Sequence, residues 1–199
     1  MVIPTLTNTQ KIVGPPQGQW TYADWEQLPD VGNRSEVIDG ILYFSELPSI
    51  FHQWIVGQLL ECLALNSKLQ GYGIHNVGVI LSCQTVVVPD FTFVKTKNAA
   101  IMVDKRIRGV PDLIAEVLSP GNKDYNEDVK LTAYAKAGVP EYVVIDAWKK
   151  QLRLYSQPMN GEYGALKKFN VDDRVTFAGV PDITLVVGDL FTGSPDETL

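Results

Sequence analysis

Cysteine and histidine are nearly absent from the 199 residues: there are two of each, with Cys62 and Cys83 in apolar-patterned segments and no CxxC spacing. That scarcity excludes a disulfide framework and a thiolate zinc site, and it fits a reducing cytosol. Also missing is any apolar run near the roughly 18 residues a membrane span needs, and no basic stretch leads into an apolar one at the N-terminus. The sequence therefore reads as soluble, cytoplasmic and without a membrane partner. Basic charge is scarce too. Seventeen Lys and Arg against 23 Asp and Glu leave a net charge of −6, which argues against holding nucleic acid by a broad electropositive surface. Any such contact has to be local.

With 45% hydrophobic and 10% aromatic residues the chain can bury one substantial core. Residues 1–18 are rich in Pro, Thr, Gln and Gly without a period, and 193–199 are similar, so 19–192 is read as a single domain between a flexible N-terminal segment and a loose tail. Thr21-Tyr22-Ala23-Asp24 has the form of a capping box opening a short helix that stops at Pro29. Glu36 to Phe44 holds two apolar runs around Asp39-Gly40, the pattern of a tight hairpin. Helical spacing of Phe51, Ile55, Leu59 and Leu63 predicts a helix over 50–67. Two antiparallel strands are expected at 74–81 and 85–94, then a polar, basic loop over 95–108 and a strand at 112–118. A second helix is expected over 124–137, capped by Asn122 or Asp124 and stopped by Gly138. Further strands fit 141–145, 151–156, 165–169, 174–177 and 183–187. This order predicts an α/β fold, a mixed sheet flanked by helices with an N-terminal hairpin.

The tripeptide Val-Pro-Asp occurs at 88–90, 110–112 and 180–182, at no constant period, which excludes a solenoid. Proline tolerates the first position of a strand, so each copy can be punctuation. That suits Asp182, whose following run carries no further acid. The second copy differs. In Asp112-Leu113-Ile114-Ala115-Glu116-Val117-Leu118, alternation puts Asp112 and Glu116 on one face of a strand that is apolar on both faces. A carboxylate there needs a partner: a cation, a helix start or a metal. Asp90 poses the same problem, and if the two strands are neighbours the carboxylates approach within roughly 5 Å. Such a pair of hard oxygen donors suits Mg²⁺ or Mn²⁺ better than zinc. A metal so held lowers the pKa of a bound water and neutralises phosphoryl charge. Lys130, one turn before Tyr134 in the expected second helix, is a candidate cation, although its spacing alone fits a solvated helix face better.

The segments around Asp90, Pro111 to Pro120, Lys130 with Tyr134, Gly138-Val139-Pro140-Glu141-Tyr142 and Asp146, together with Glu36-Val37-Ile38-Asp39-Gly40 and His52-Gln53, resemble the Uma-two family of restriction endonucleases within the PD-(D/E)XK nuclease superfamily. The resemblance runs from about Tyr22 to Phe191. It implies a restriction-endonuclease-like core that hydrolyses phosphodiester bonds in DNA with Mg²⁺ or Mn²⁺. Asp90 and Glu116 would be the metal ligands and Glu36 a further acidic member. In the superfamily motif a lysine stands two places after the acid. Here that place is Leu118, and the resemblance implies that Lys130 replaces it from the next helix. Asp112, at the strand mouth, and His52, at a helix start, are lesser candidates. The superfamily often acts as dimers, so a homodimer that addresses two DNA strands is expected. A non-catalytic nucleic-acid-binding or assembly module that keeps the fold, with Glu116 and Lys130 as a structural ion pair, is the alternative reading.

Overall fold

A computed structural model describes residues 12–29, 34–65, 70–118 and 125–195. Helix α1 (Tyr22–Glu26) opens with the expected capping box: Thr21 and Asp24 each bond the other's backbone N–H. Strands β1 (Arg34–Ile38) and β2 (Ile41–Ser45) form the hairpin, closing Ile38 against Ile41. Asp39 and Gly40 both have positive φ, +49° and +75°, the primed turn that an Asp-Gly pair favours. Gln17 accepts from Leu42 N–H at 2.7 Å and lays the described part of the N-terminal segment along β2. Residues 1–11 and 196–199 of the expected loose ends lie outside the described residues.

Helix α2 (Ile50–Leu60) is capped by Ser49 and runs on through Glu61–Leu65 with the wider i→i+5 spacing. The two strands expected over 74–94 are four: β3 (Gly71–Ile74), β4 (Val79–Ser82), β5 (Thr85–Val87) and β6 (Phe91–Lys95). β4 and β5 pair antiparallel, as do β3 and β6, but in different sheets. The division falls at Val88-Pro89-Asp90, where proline has no N–H for the ladder and the chain passes from one sheet to the other. The expected basic loop is ordered as a 3₁₀ turn (Thr96–Ile101) and a hairpin of β7 (Met102–Val103) and β8 (Arg106–Arg108). Its turn, Asp104-Lys105, takes positive φ at both residues without a glycine, so no turn signal marks it in the sequence.

Strand β9 (Leu113–Leu118) is buried throughout. The caps expected at Asn122 or Asp124 lie outside the described residues. The helix that follows begins with wide turns at Tyr125–Lys130, continues as α3 (Leu131–Ala137) and ends on Gly138 at φ +80°. There Val139 N–H reaches Tyr134 O and Gly138 N–H reaches Ala135 O, a Schellman closure. Strand β10 (Glu141–Asp146) lies parallel to β9, which is what a helical crossover permits. β11 (Gln151–Met159) and β12 (Glu162–Phe169) extend that sheet antiparallel, and β13 (Arg174–Phe177) pairs with β14 (Val180–Val186).

The expected mixed α/β architecture is present, with its strands in two six-stranded sheets, ordered β2-β1-β5-β4-β8-β7 and β12-β11-β10-β9-β6-β3, and one two-stranded ribbon. One core packs α2 and the β13–β14 ribbon against Phe91, Phe93, Leu113, Ala115 and Val117. The other packs Ala133 and Tyr134 of α3 and Ile38, Val79 and Val87 of the first sheet against Val94, Ile114, Leu118, Tyr142 and Val144. The alternation inferred for β9 therefore holds: its odd residues face one core and its even residues the other. Among the described residues, no helix is long and apolar enough to cross a membrane.

Candidate active site

Where the two sheets meet, charged side chains from five segments converge in the interior. Glu36 (β1), Asp90 (the β5–β6 crossing), Glu116 (β9), Lys130 (before α3) and His52 (α2) are each less than 10% exposed. Residues 34, 36 and 38 alternate onto one face of β1, which directs Arg34 and Glu36 to the seam while Ile38 joins the core. Beyond the end of β5, the Glu36 carboxylate accepts Val88 N–H at 2.6 Å and takes the place of a strand partner at the crossing. β6 and β9 are neighbours, Phe91 opposite Ala115, so Asp90 lies beside Glu116 as inferred.

Lys130 is the hub. Its Nζ lies 2.8 Å from Glu116 Oε1 and 3.0 Å from Glu36 Oε2, so the fold brings the lysine of the helix over the acid of the strand. Tyr134, one turn on, donates to the same Glu116 oxygen at 2.7 Å. Asp90 is held on both oxygens: Oδ1 accepts from Arg34 Nη1 at 2.7 Å, and Oδ2 accepts Val117 N–H at 2.8 Å and stands 3.1 Å from His52 Nε2. Asp112 is directed elsewhere. Its carboxylate accepts Lys95 N–H and the Asn98 side-chain amide at 2.8 Å each, tying β9 to the 3₁₀ turn, and no described bond joins it to Lys130, Glu116 or Asp90. Two other acids within the family resemblance are structural here. Glu141 accepts the N–H groups of Ala178 and Gly179, and Asp146 accepts that of Lys149. In the 95–108 segment Lys97, Lys105 and Arg108 are exposed, and three of the five basic residues have described partners. Arg106 lies over the Trp25 ring, Arg108 over that of Tyr22, and Lys95 Nζ donates to Ala178 O.

The surroundings drive the two central carboxyls apart. Burial pushes Glu116 up to about 7, with Lys130 opposing and the Asp90 charge reinforcing the rise. Burial acts on Asp90 in the same sense, but the His52 hydrogen bond and the Arg34 charge outweigh it and hold that carboxyl well below the usual range. Burial alone would lower Lys130; Glu116 and Glu36 reverse it and keep the ammonium protonated. Tyr134 is raised well above its ordinary value by burial and the neighbouring Glu116 charge, so its hydroxyl remains a donor. The site thus keeps a permanent anion and a permanent cation, with a carboxyl between them that titrates near neutrality.

A profile for the Uma2 family, described as "Putative restriction endonuclease", matches residues 22–189. The chain belongs to that family. Uma2 membership makes nuclease the activity class that the family description gives. The fold is that of the crystal structure of a "putative nuclease belonging to DUF820" from Anabaena variabilis, at a TM-score of 0.73 and 18% identity over 87% of this chain and 98% of that one. No curated protein matches the chain. Sequence reasoning missed Arg34, the direct partner of Asp90. The available signal was its i, i+2 relation to Glu36 on a strand entering a hairpin, which puts both on one face.

Proposed function

We propose that the chain is a metal-dependent nuclease of restriction-endonuclease type that hydrolyses phosphodiester bonds in DNA. The observation that carries the reading is the Lys130-centred cluster: three buried carboxylates, Glu36, Asp90 and Glu116, face two permanent cations, Arg34 and Lys130, at the junction of two sheets. The donor set fits a hard divalent ion. It is all oxygen, it holds more acid than permanent base, and Glu116 keeps both its described bonds on Oε1. Among the described residues no three His, Cys, Asp or Glu side chains stand together as a complete ligand set. An ion here would therefore rest on one or two carboxylates, with water and substrate phosphate supplying the other positions, as Mg²⁺ allows.

Asp90 and Glu116 would hold the ion. When bound, it supplies a water of lowered pKa and neutralises charge on the phosphoryl group. Lys130 keeps its proton and stabilises the charge that develops on the phosphate oxygens. Glu36 holds Lys130 by its second oxygen and can orient a water or a ligand. Tyr134 fixes the Glu116 carboxylate, and His52 fixes Asp90. The described residues form one such cluster, so double-strand cleavage calls for a homodimer or for two successive encounters.

A second reading is favoured by one observation: Lys130 already bridges Glu36 and Glu116, and Arg34 already pairs Asp90, so the cluster is internally matched as an ion-pair network. On that reading the chain is a non-catalytic nucleic-acid-binding or assembly module with a nuclease fold. Titration with Mg²⁺ and Mn²⁺ separates the two. The nuclease gains thermal stability with the ion and cleaves supercoiled or single-stranded DNA, and Glu116→Gln loses both effects. An unchanged melting temperature, with no cleavage that depends on Lys130, supports the module instead.

A further inference from the structure

Arg34 presents only part of its guanidinium to Asp90. Nη1 donates to Asp90 Oδ1 at 2.7 Å, while Nε and Nη2 are shielded from solvent and have no hydrogen-bond partner among the described residues. Those two nitrogens share one edge of the planar group and form a two-pronged donor that matches two oxygens on a single acceptor atom. Buried guanidinium N–H groups are seldom left unmatched, so this fork points to an acceptor that a ligand would supply.

Three constraints define that ligand. It must offer two oxygens at fork spacing and carry negative charge. It must also approach the seam beside Lys130, because Arg34 and Glu36 leave β1 on the same face and Glu36 is bonded to Lys130. A phosphodiester, with two equivalent non-bridging oxygens sharing one charge, meets all three. We propose that the Nε/Nη2 edge of Arg34 is the phosphate clamp of this protein, holding the non-bridging oxygens of a nucleic-acid backbone while Nη1 keeps Asp90 in place. The proposal deepens the nuclease reading and rests on it for the class of ligand.

It also accounts for a protein with net charge −6 that handles a polyanion. Recognition is concentrated in a recessed cationic fork and not spread over the surface. Of the basic residues around 95–108, Lys95, Arg106 and Arg108 already have partners within the chain, while Lys97 and Lys105 are exposed.

The test observes the fork directly. With ¹⁵N-arginine in the full chain, the Arg34 Nε–H resonance is assigned by its absence from Arg34→Lys. Hexathymidylate is then titrated in Ca²⁺, so that binding is read without cleavage, beside the neutral methylphosphonate hexamer. We expect the Arg34 resonance to move and its exchange with water to slow with the phosphodiester and not with the methylphosphonate, and Arg34→Lys to bind the phosphodiester about tenfold more weakly. An Arg34 resonance unmoved at saturation overturns the proposal. So does a complete lack of binding, and so does a response to poly-glutamate alone, which would make the fork a carboxylate site. Cleavage assayed in parallel with Mg²⁺ keeps the two ideas separate. A moving resonance without cleavage retains the clamp and defeats the hydrolase, whereas cleavage with an unmoved resonance does the reverse.

Discussion

Glu116 and Lys130 form a pair whose behaviour depends on pH. A carboxyl raised to about 7 in the fold and near 4.5 when unfolded binds its proton more tightly in the native state. Stability contributed by that proton is full at low pH and is lost as pH rises from about 4.5 through 7. Denaturant unfolding of the metal-free protein is therefore expected to show a decline on the order of 3 kcal/mol across that window. Glu116→Gln should remove the slope, and the same substitution should reduce Mg²⁺-dependent cleavage about 100-fold or more. Lys130→Met strands two buried carboxylates and should cost about 3–5 kcal/mol at pH 8, and less at pH 5.5 where Glu116 takes up a proton. Equal losses at both pH values would show that the ammonium is not what Glu116 answers to. Much of this pair was legible beforehand. An acid in the middle of an apolar strand states its need for a partner, and a lysine in the next helix can reach it. Arg34 was harder to read: only its i, i+2 relation to Glu36 pointed to the seam, and an arginine beside polar residues at the start of a hairpin strand otherwise has the pattern of a solvated side chain.

At the level of elements, the hairpin that carries Arg34 and Glu36 is anchored by its turn. A Cβ on Gly40 would lie 2.5 Å from the backbone oxygen of Gly18, at φ +75°. At Gly138, φ +80°, a Cβ would meet nothing within 4 Å. Gly138→Ala therefore carries only the left-handed backbone cost, about 1–2 kcal/mol. Gly40→Ala should exceed it measurably in melting temperature and, by displacing β1, should also weaken cleavage. The Asp-Gly turn could be read from the sequence, as could α1 and the Gly138 stop, because each is set by local chemistry. The passage between sheets at Pro89 could not: Val-Pro-Asp marks a strand start within 85–94, but period-2 alternation carries no information about which sheet a strand joins. The Asp104-Lys105 turn was hidden for the opposite reason, since two ordinary residues occupy a conformation usually given to glycine.

For the whole molecule, the acidic balance and the recessed cluster make a joint prediction about salt. If nucleic acid is held at the seam by two or three cations and not across a face, the slope of log affinity against log salt should be shallow, about −2 to −3. A slope several times steeper would mean that the exposed Lys97, Lys105 and Arg108 also meet the backbone. Divalent ion should stabilise more at pH 8 than at pH 6, because binding at Glu116 displaces a proton held with a pKa of about 7. Paired melting curves at the two pH values give that difference directly.

The chain changes sheets at Pro89, and the next side chain is tied to a strand on either side of that change, to Arg34 in β1 and to Val117 in β9. A relative without hydrolytic activity would not thereby be free to discard Asp90, since its removal would unfasten two cores together. Asparagine is the substitute that drift can tolerate there, because its carbonyl still receives the Val117 amide. Relatives of this fold that do not cleave nucleic acid are expected to keep Asp or Asn at position 90 and to lose Glu116 and Lys130 as a couple.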